Sequence, residues 1–176
     1  MDNNKIYGIG IFALLLSFVL DEFIWIPRHA AVDYVFQSVF NFLTLTVLFF
    51  AVAIVFLYKD QKARAIMPLL FSGAATIIIT VAIKLAVMRV RPDATGIIGG
   101  VFFMYSFPSL HAAFAFSALP MLNQKFRKVK WFWIVFAVTI AFSRLYFNVH
   151  YLSDVIAGGL LGYFIGDIIL KLSEKK

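Results

Sequence analysis

Three short stretches of this chain carry side chains that could do chemistry. In Lys84-Leu85-Ala86-Val87-Met88-Arg89-Val90-Arg91-Pro92, two cations, Lys84 and Arg91, stand seven residues apart. Two helical turns separate them, so on a continuous helix ammonium and guanidinium leave nearly one face, with Arg89 well round from both. Pro92 discourages helix at Arg91 and leaves that side chain at the lip of the element. Ser106-Phe107-Pro108-Ser109-Leu110-His111 opens a run rich in Ala and Phe. A proline beside a helix start, with unpaired N–H groups behind it, makes an anion site. In the third stretch, Ser143-Arg144 is followed by His150 and Asp154. His150 and Asp154 stand at i and i+4, where a carboxylate can fix the imidazole tautomer and raise its basicity.

Each stretch alone has a plain alternative: a snorkelling pair of cations at an interface, an ordinary helix start, a packed histidine, a chance His/Asp pair. Their company argues otherwise. Three converging cations (Lys84, Arg91, Arg144) repel one another unless an anion with several oxygens sits among them, and phosphate fits. One imidazole can attack phosphorus while the other protonates the departing oxygen. Guanidinium and amide donors, with the Ser109 hydroxyl, can stabilise the remaining oxygens. A metal suits the set poorly: His111, His150 and Asp154 could act as ligands, but the neighbouring cations oppose a divalent ion. With no cysteine there is neither thiolate ligand nor thiol nucleophile.

The elements that position these groups follow from composition. Of 176 residues, 62% are hydrophobic and only 14% charged, and the mean hydropathy is +0.91. A soluble domain carries about a quarter charged residues, and a chain this size has too little interior to hide so much apolar surface. The numbers exclude disorder, collagen and coiled coil, and point to a bilayer. Apolar runs cover Ile6–Leu20 (extendable to Ile26), Ser38–Tyr58, Ala65–Met88, Ser109–Leu122, Trp131–Ala141 and Ser153–Leu170. The first has no small-residue cleavage site after it and reads as a retained helix rather than a signal peptide. The fourth is short. All six should be helices, since hydrocarbon offers the backbone no other partner. The expectation is an all-α bundle of six transmembrane helices in a single domain over residues 1–176, without tandem repeats.

Six spans place both termini on one side. Eleven of the 16 Lys and Arg then fall with the termini, including Lys59, Lys62, Arg64 and the Lys125–Lys130 group, against five opposite. The positive-inside rule puts the termini in the cytoplasm and all three polar stretches at the outer face. The net charge of +7 thus reads as orientation and not as nucleic-acid binding. Arg28, Lys84, Arg89, Arg91 and Arg144 are the outer five, and most sit at helix ends, where a cation is usually functional.

The motifs K-x6-R-P (Lys84–Pro92), P-S-x-H (Pro108–His111) and S-R-x5-H-x3-D (Ser143–Asp154) resemble those of the type-2 phosphatidic acid phosphatase superfamily. That family comprises membrane lipid phosphatases, soluble acid phosphatases and vanadium haloperoxidases. The resemblance implies that Lys84, Arg91 and Arg144 hold the phosphoryl group and that Ser109 binds its oxygen. It further implies His150 as nucleophile, forming a phosphohistidine, His111 as general acid, Asp154 as the group orienting His150, and a reaction without metal or cofactor. Leu110 departs from the glycine usual between Ser and His, and some branches with Leu there transfer a phosphoryl-linked group to an alcohol.

The expected substrate is a lipid phosphate or diphosphate whose tail stays in the bilayer. The short loops favour a small headgroup, which places a polyprenyl (undecaprenyl) diphosphate first, with phosphatidylglycerol phosphate, phosphatidate and a lipid A phosphate behind it. No obligate protein partner is implied. A phosphotransferase, an anionic-lipid transporter and a silent scaffold are the rival readings; an oriented nucleophile argues against transport. Asp21 and Glu22 read as the outer end of the first span, with gating of substrate entry as the lesser alternative. Asp167 reads as solvated or paired with Lys171. Phe102, Phe103, Tyr105 and Phe107 read as an interfacial aromatic belt. Gly158, Gly159, Gly162 and Gly166 suggest close helix packing within the bundle.

Overall fold

The computed structural model describes residues 3–24, 26–27, 29–31, 33, 47, 50–51, 53–55, 58–59, 65–92 and 105–175. Most of the second expected span lies outside the described residues, as do Arg28, Lys62, Arg64, Phe102 and Phe103. Among the described residues, the helices with both ends defined are α1 (Asn3–Leu20), α2 (Ile66–Val87), α3 (Leu110–Ser117), α4 (Leu119–Lys125), α5 (Lys130–Tyr146) and α6 (Leu152–Glu174). A 3-10 turn, Arg127–Val129, leads into α5. The only pairing of β type among the described residues is one isolated antiparallel bridge, Val90 to Tyr105. The protein is all-helical.

Among the described residues, three stretches are long and apolar enough to cross a membrane: Ile66–Val87, Arg127–Tyr146 and Leu152–Glu174. A shorter apolar helix runs over Tyr7–Leu20. The fourth expected span is realised in two pieces, because Pro120 opens α4 and the helix is interrupted at Ala118. The fifth reaches further than its charge-free run, through Arg144 to Tyr146.

A stripe of small residues sets the closest approach in the bundle. Gly158, Gly162 and Gly166 of α6 lie directly over the backbone carbonyls of Ser109, Ala113 and Ser117. A Cβ at Gly162 would come within 2.6 Å of the Ala113 carbonyl carbon, where ordinary contact begins at 3.4 Å. Only glycine lets α6 lie this near α3. Away from the stripe, Trp133, Leu69, Leu122, Ala53, Phe114 and Ala118 form the apolar core. One face of α1 is left bare: Ile9, Phe12, Leu15 and Val19 are each more than 60% exposed, as lipid-facing residues would be.

Candidate active site

The site is built where α2 ends, α3 begins, α5 ends and α6 begins. Helix α2 stops at Val87, and Met88 takes a left-handed conformation (φ 52°) with its N–H donating to the Lys84 carbonyl. Lys84 therefore sits in the last turn of α2, whereas Arg89 and Arg91 belong to a non-helical segment. The expected shared helical face of Lys84 and Arg91 is replaced by this turn. The segment is pinned by Ser106, whose N–H donates to the Arg89 carbonyl at 2.7 Å. Buried Lys84 donates from Nζ to the carbonyls of Tyr105 (2.9 Å) and Ser106 (3.0 Å). Arg91 donates from one amino group to the Val149 carbonyl at 3.2 Å.

Ser109 is the residue that precedes α3, after a cis Phe107–Pro108 bond. Its N–H donates to the Asp154 carbonyl at 2.9 Å, which locks the start of α3 to the first turn of α6. The N–H groups of Leu110, His111 and Ala112 are first-turn donors that an α-helix leaves without intrahelical partners. Arg144, in the last turn of α5, donates from Nε to Ser143 Oγ (3.0 Å) and from Nη1 to His111 Nε2 (3.1 Å). A guanidinium can only donate, so Nε2 of His111 carries its lone pair toward Arg144.

His150 lies in the turn between α5 and α6, not on a continuous helix with Asp154. Helix α6 starts at Leu152, and Asp154 is its third residue. A capping box forms there: Asp154 Oδ2 accepts the Tyr151 N–H at 2.9 Å. The same oxygen stands 3.5 Å from His150 Nδ1, in contact but long for a hydrogen bond, and Nδ1 has no other partner. Both side chains are buried. Burial pushes the His150 imidazole down to about 4; facing Asp154 opposes this, while Arg91 and Lys84 add to it. Burial likewise lowers Arg91, against the pull of Asp154.

All seven expected residues thus meet at one end of the bundle. Three of them carry buried polar atoms with no hydrogen-bond partner: Arg91 Nε, Ser109 Oγ and His150 Nδ1. Each such orphan costs roughly 1–3 kcal/mol, a cost that acceptor oxygens of a ligand would relieve at the arginine and the serine. Among the described residues, no three His, Cys, Asp or Glu side chains cluster as metal ligands.

Three residues outside the expected set, Arg89, Ser153 and Asp21, adjoin it. Arg89 donates from Nη1 to Ser153 Oγ (2.6 Å) and Asp154 Oδ1 (2.9 Å), and from Nη2 to Asp21 Oδ2 (2.9 Å). Ser153 in turn donates from its N–H to Asp21 Oδ1 at 2.9 Å and from its hydroxyl to Asp21 Oδ2. Asp21 is therefore more than the end of a span. Asp167 accepts from Lys171 at 2.6 Å as expected, and also from the Tyr7 hydroxyl at 2.8 Å.

The family model described as "PAP2 superfamily" matches residues 65–176. The chain belongs to the PAP2 superfamily, and it is a phosphatase of that family. The lipid A 4'-phosphatase of Bacteroides thetaiotaomicron is 27% identical over 91% of this chain and 69% of its own length. The undecaprenyl-diphosphatase of Sulfolobus acidocaldarius is 37% identical over 40% of this chain and 34% of its own length. The crystal structure of Aquifex aeolicus LpxE superposes with a TM-score of 0.65 at 25% identity, covering 91% of this chain and 95% of that one. The PAP2-type phosphatidylglycerolphosphate phosphatase of Bacillus subtilis shares the fold, with a TM-score of 0.61 at 19% identity over 98% of this chain and 88% of that one. The protein is a membrane protein whose relatives act on lipid phosphates.

Proposed function

We propose that the protein is a metal-independent hydrolase of a lipid phosphate, acting through a phosphohistidine at an outward-facing site. The observation that carries this is the gathering of Lys84, Arg91, Arg144 and Ser109 around the buried His150–Asp154 contact. The cations and Ser109 hold the phosphoryl oxygens. Asp154 keeps the proton of His150 on Nδ1, so Nε2 presents its lone pair to phosphorus. The P–Nε2 bond forms as the ester P–O bond breaks, and the departing lipid oxygen takes a proton from His111. That proton requires a change at His111, whose Nε2 accepts from Arg144 in the resting site. An arriving phosphate can take over the guanidinium, releasing the imidazole to bind a proton. Water then attacks phosphorus, His111 takes the water's proton, and inorganic phosphate leaves with Nε2 of His150 restored.

The cationic surroundings favour this over a bound divalent ion. The chain acts as one domain of six spans, with the termini cytoplasmic. The match to a lipid A 4'-phosphatase runs through nine-tenths of the chain and moves a lipid A-type phosphate ahead of the polyprenyl diphosphate that short loops alone favour. Undecaprenyl diphosphate stays as the second reading, on the denser but local likeness to an undecaprenyl-diphosphatase. The test is phosphate release by purified protein in detergent from a panel of these lipids, in EDTA, beside His150→Ala. Wild type should release phosphate at full rate, and the variant should lose at least about a thousand-fold. Activity surviving in the variant removes His150 as nucleophile; activity lost in EDTA and restored by zinc or magnesium overturns metal independence. Transfer of the phosphoryl-linked group to an alcohol in place of release would mark a phosphotransferase, the outcome Leu110 makes worth checking.

A further inference from the structure

We infer that Asp21, at the end of α1, is a positioning residue for the reaction: through Arg89 and Ser153 it fixes the Asp154 carboxylate and thereby the orientation of His150. This rests on the phosphohistidine reading above. The contacts form a closed ring. Asp154 uses Oδ2 for the Tyr151 N–H and for His150, and Oδ1 for Arg89. The other amino group of Arg89 goes to Asp21, and Asp21 returns to α6 through both the N–H and the hydroxyl of Ser153. Both carboxylates are buried, with side-chain exposures of 4% for Asp21 and 0% for Asp154. Two buried carboxylates this close repel, and one planar guanidinium between them satisfies both at once.

The guanidinium has little freedom to turn. It lies 3.9 Å from the centroid of the Tyr151 ring, just ahead of α6, and 5.7 Å from that of Phe18 in α1. Rotating it would break the contacts to both acids. An ammonium at the same place could reach one acid but could not span two with a fixed fork. The side-chain hydrogen bonds of Arg89 and Asp21 lead to Ser153 and Asp154, so the route from Asp21 to the candidate site runs through Asp154. Helix α1 also lies outside the stretch that matches the family model, which begins at residue 65. The matched region thus takes part of the support for its nucleophile from a helix that the motifs do not include.

The test compares Asp21→Asn, Arg89→Lys, their double variant, Ser153→Ala, Asp21→Glu and His150→Ala, on whichever lipid of the panel the wild type hydrolyses fastest. Outer partners that orient a reacting group are typically worth 10–100-fold. Asp21→Asn and Arg89→Lys should each lower kcat by about that factor, with KM within about three-fold because Lys84, Arg91 and Arg144 are untouched. The double variant should fall no more than about three-fold below Arg89→Lys, since both changes cut one chain of contacts. Asp21→Glu, which keeps the charge, should recover most of the lost kcat. A purely structural role would lower folded yield or Tm while kcat per folded molecule stayed at wild type; kcat for Asp21→Asn within two-fold of wild type overturns the inference. Should Asp21→Asn not fold, Ser153→Ala removes one hydroxyl from the ring and must still cost kcat about three- to ten-fold at constant KM, and an unchanged kcat there overturns it equally. His150→Ala separates the two claims: inactive His150→Ala beside normal Asp21→Asn sinks the positioning role alone, whereas active His150→Ala sinks the nucleophile reading beneath it.

Discussion

Gly162→Ala should disable the enzyme from a position that touches no phosphate-binding group. The added Cβ would meet the Ala113 backbone, with the carbonyl carbon at 2.6 Å and its oxygen nearer still. Restoring ordinary contact at 3.4 Å requires α6 and α3 to part by at least about 0.8 Å, and backbone cannot swing aside as a side chain can. Alanine gains up to about 1 kcal/mol of intrinsic helix preference over glycine. Overpacking a close-packed interface costs about 1–3 kcal/mol, so the clash wins and Tm falls. The larger effect is on rate. Ser109 and His111 ride on α3 and Asp154 on α6, joined by the Ser109 N–H to Asp154 carbonyl bond. A displacement near 1 Å between reacting groups costs about 100-fold. Phosphate release per folded molecule in detergent should therefore drop by about two orders of magnitude. Gly159→Ala is the matched control: its Cβ would lie 3.5 Å from the Phe116 ring, an ordinary contact, and activity should stay within about two-fold. Equal activities in the two variants would refute the reasoning.

The buried neutral state of His150 makes acid sensitivity predictable. Its folded pKa is depressed, so between about 6.5 and about 4 the unfolded chain binds the proton and the folded one does not, and stability falls as pH drops through that window. The Tm in detergent should decline accordingly, and His150→Gln should flatten the slope; an unchanged slope would assign the effect elsewhere. Arg91→Met removes one of the cations that hold His150 low, so the acid limb of kcat/KM should move to higher pH, and a shift the other way would contradict the electrostatics. Orientation is testable because the chain has no cysteine of its own. A membrane-impermeant maleimide should label Val90→Cys on intact cells but Val129→Cys only after permeabilisation; the reverse pattern would invert the topology.

The membership of the candidate site was legible because its residues are rare in such a chain. In a sequence that is 14% charged, Lys84, Arg91, Arg144 and Asp154 stand out against the apolar background. The glycines of α6 also declared their purpose, since four-residue spacing of small side chains has few other uses in a membrane helix. Arg89 was rightly set apart from Lys84 and Arg91, but its partners were not foreseen, for a physical reason. Helical geometry carried on to Pro92 turns it away from Lys84, and nothing in Met88 announces the left-handed residue that ends α2 early and redirects the chain. Asp21 was hidden by distance, its partner Ser153 lying 132 positions away with no local pattern to join them. The His150–Asp154 contact was foreseen from a four-residue spacing, although a capping box and not a helical turn produces it. The gap at Ala118 reflects Pro120, whose effect on a short apolar run is easily overlooked.

The clasp between Arg89–Val90 and Tyr105–Ser106 couples two helix ends mechanically. The chain departs after Pro92 and re-enters at a point fastened by the Val90–Tyr105 bridge, the Ser106 amide and the Lys84 ammonium. Those anchors tie Arg89 and Lys84 to the stretch that leads into Ser109. Loosening any one of these anchors would shift the end of α2 and the approach to α3 together, so the clasp works as a single joint between two parts of the candidate site.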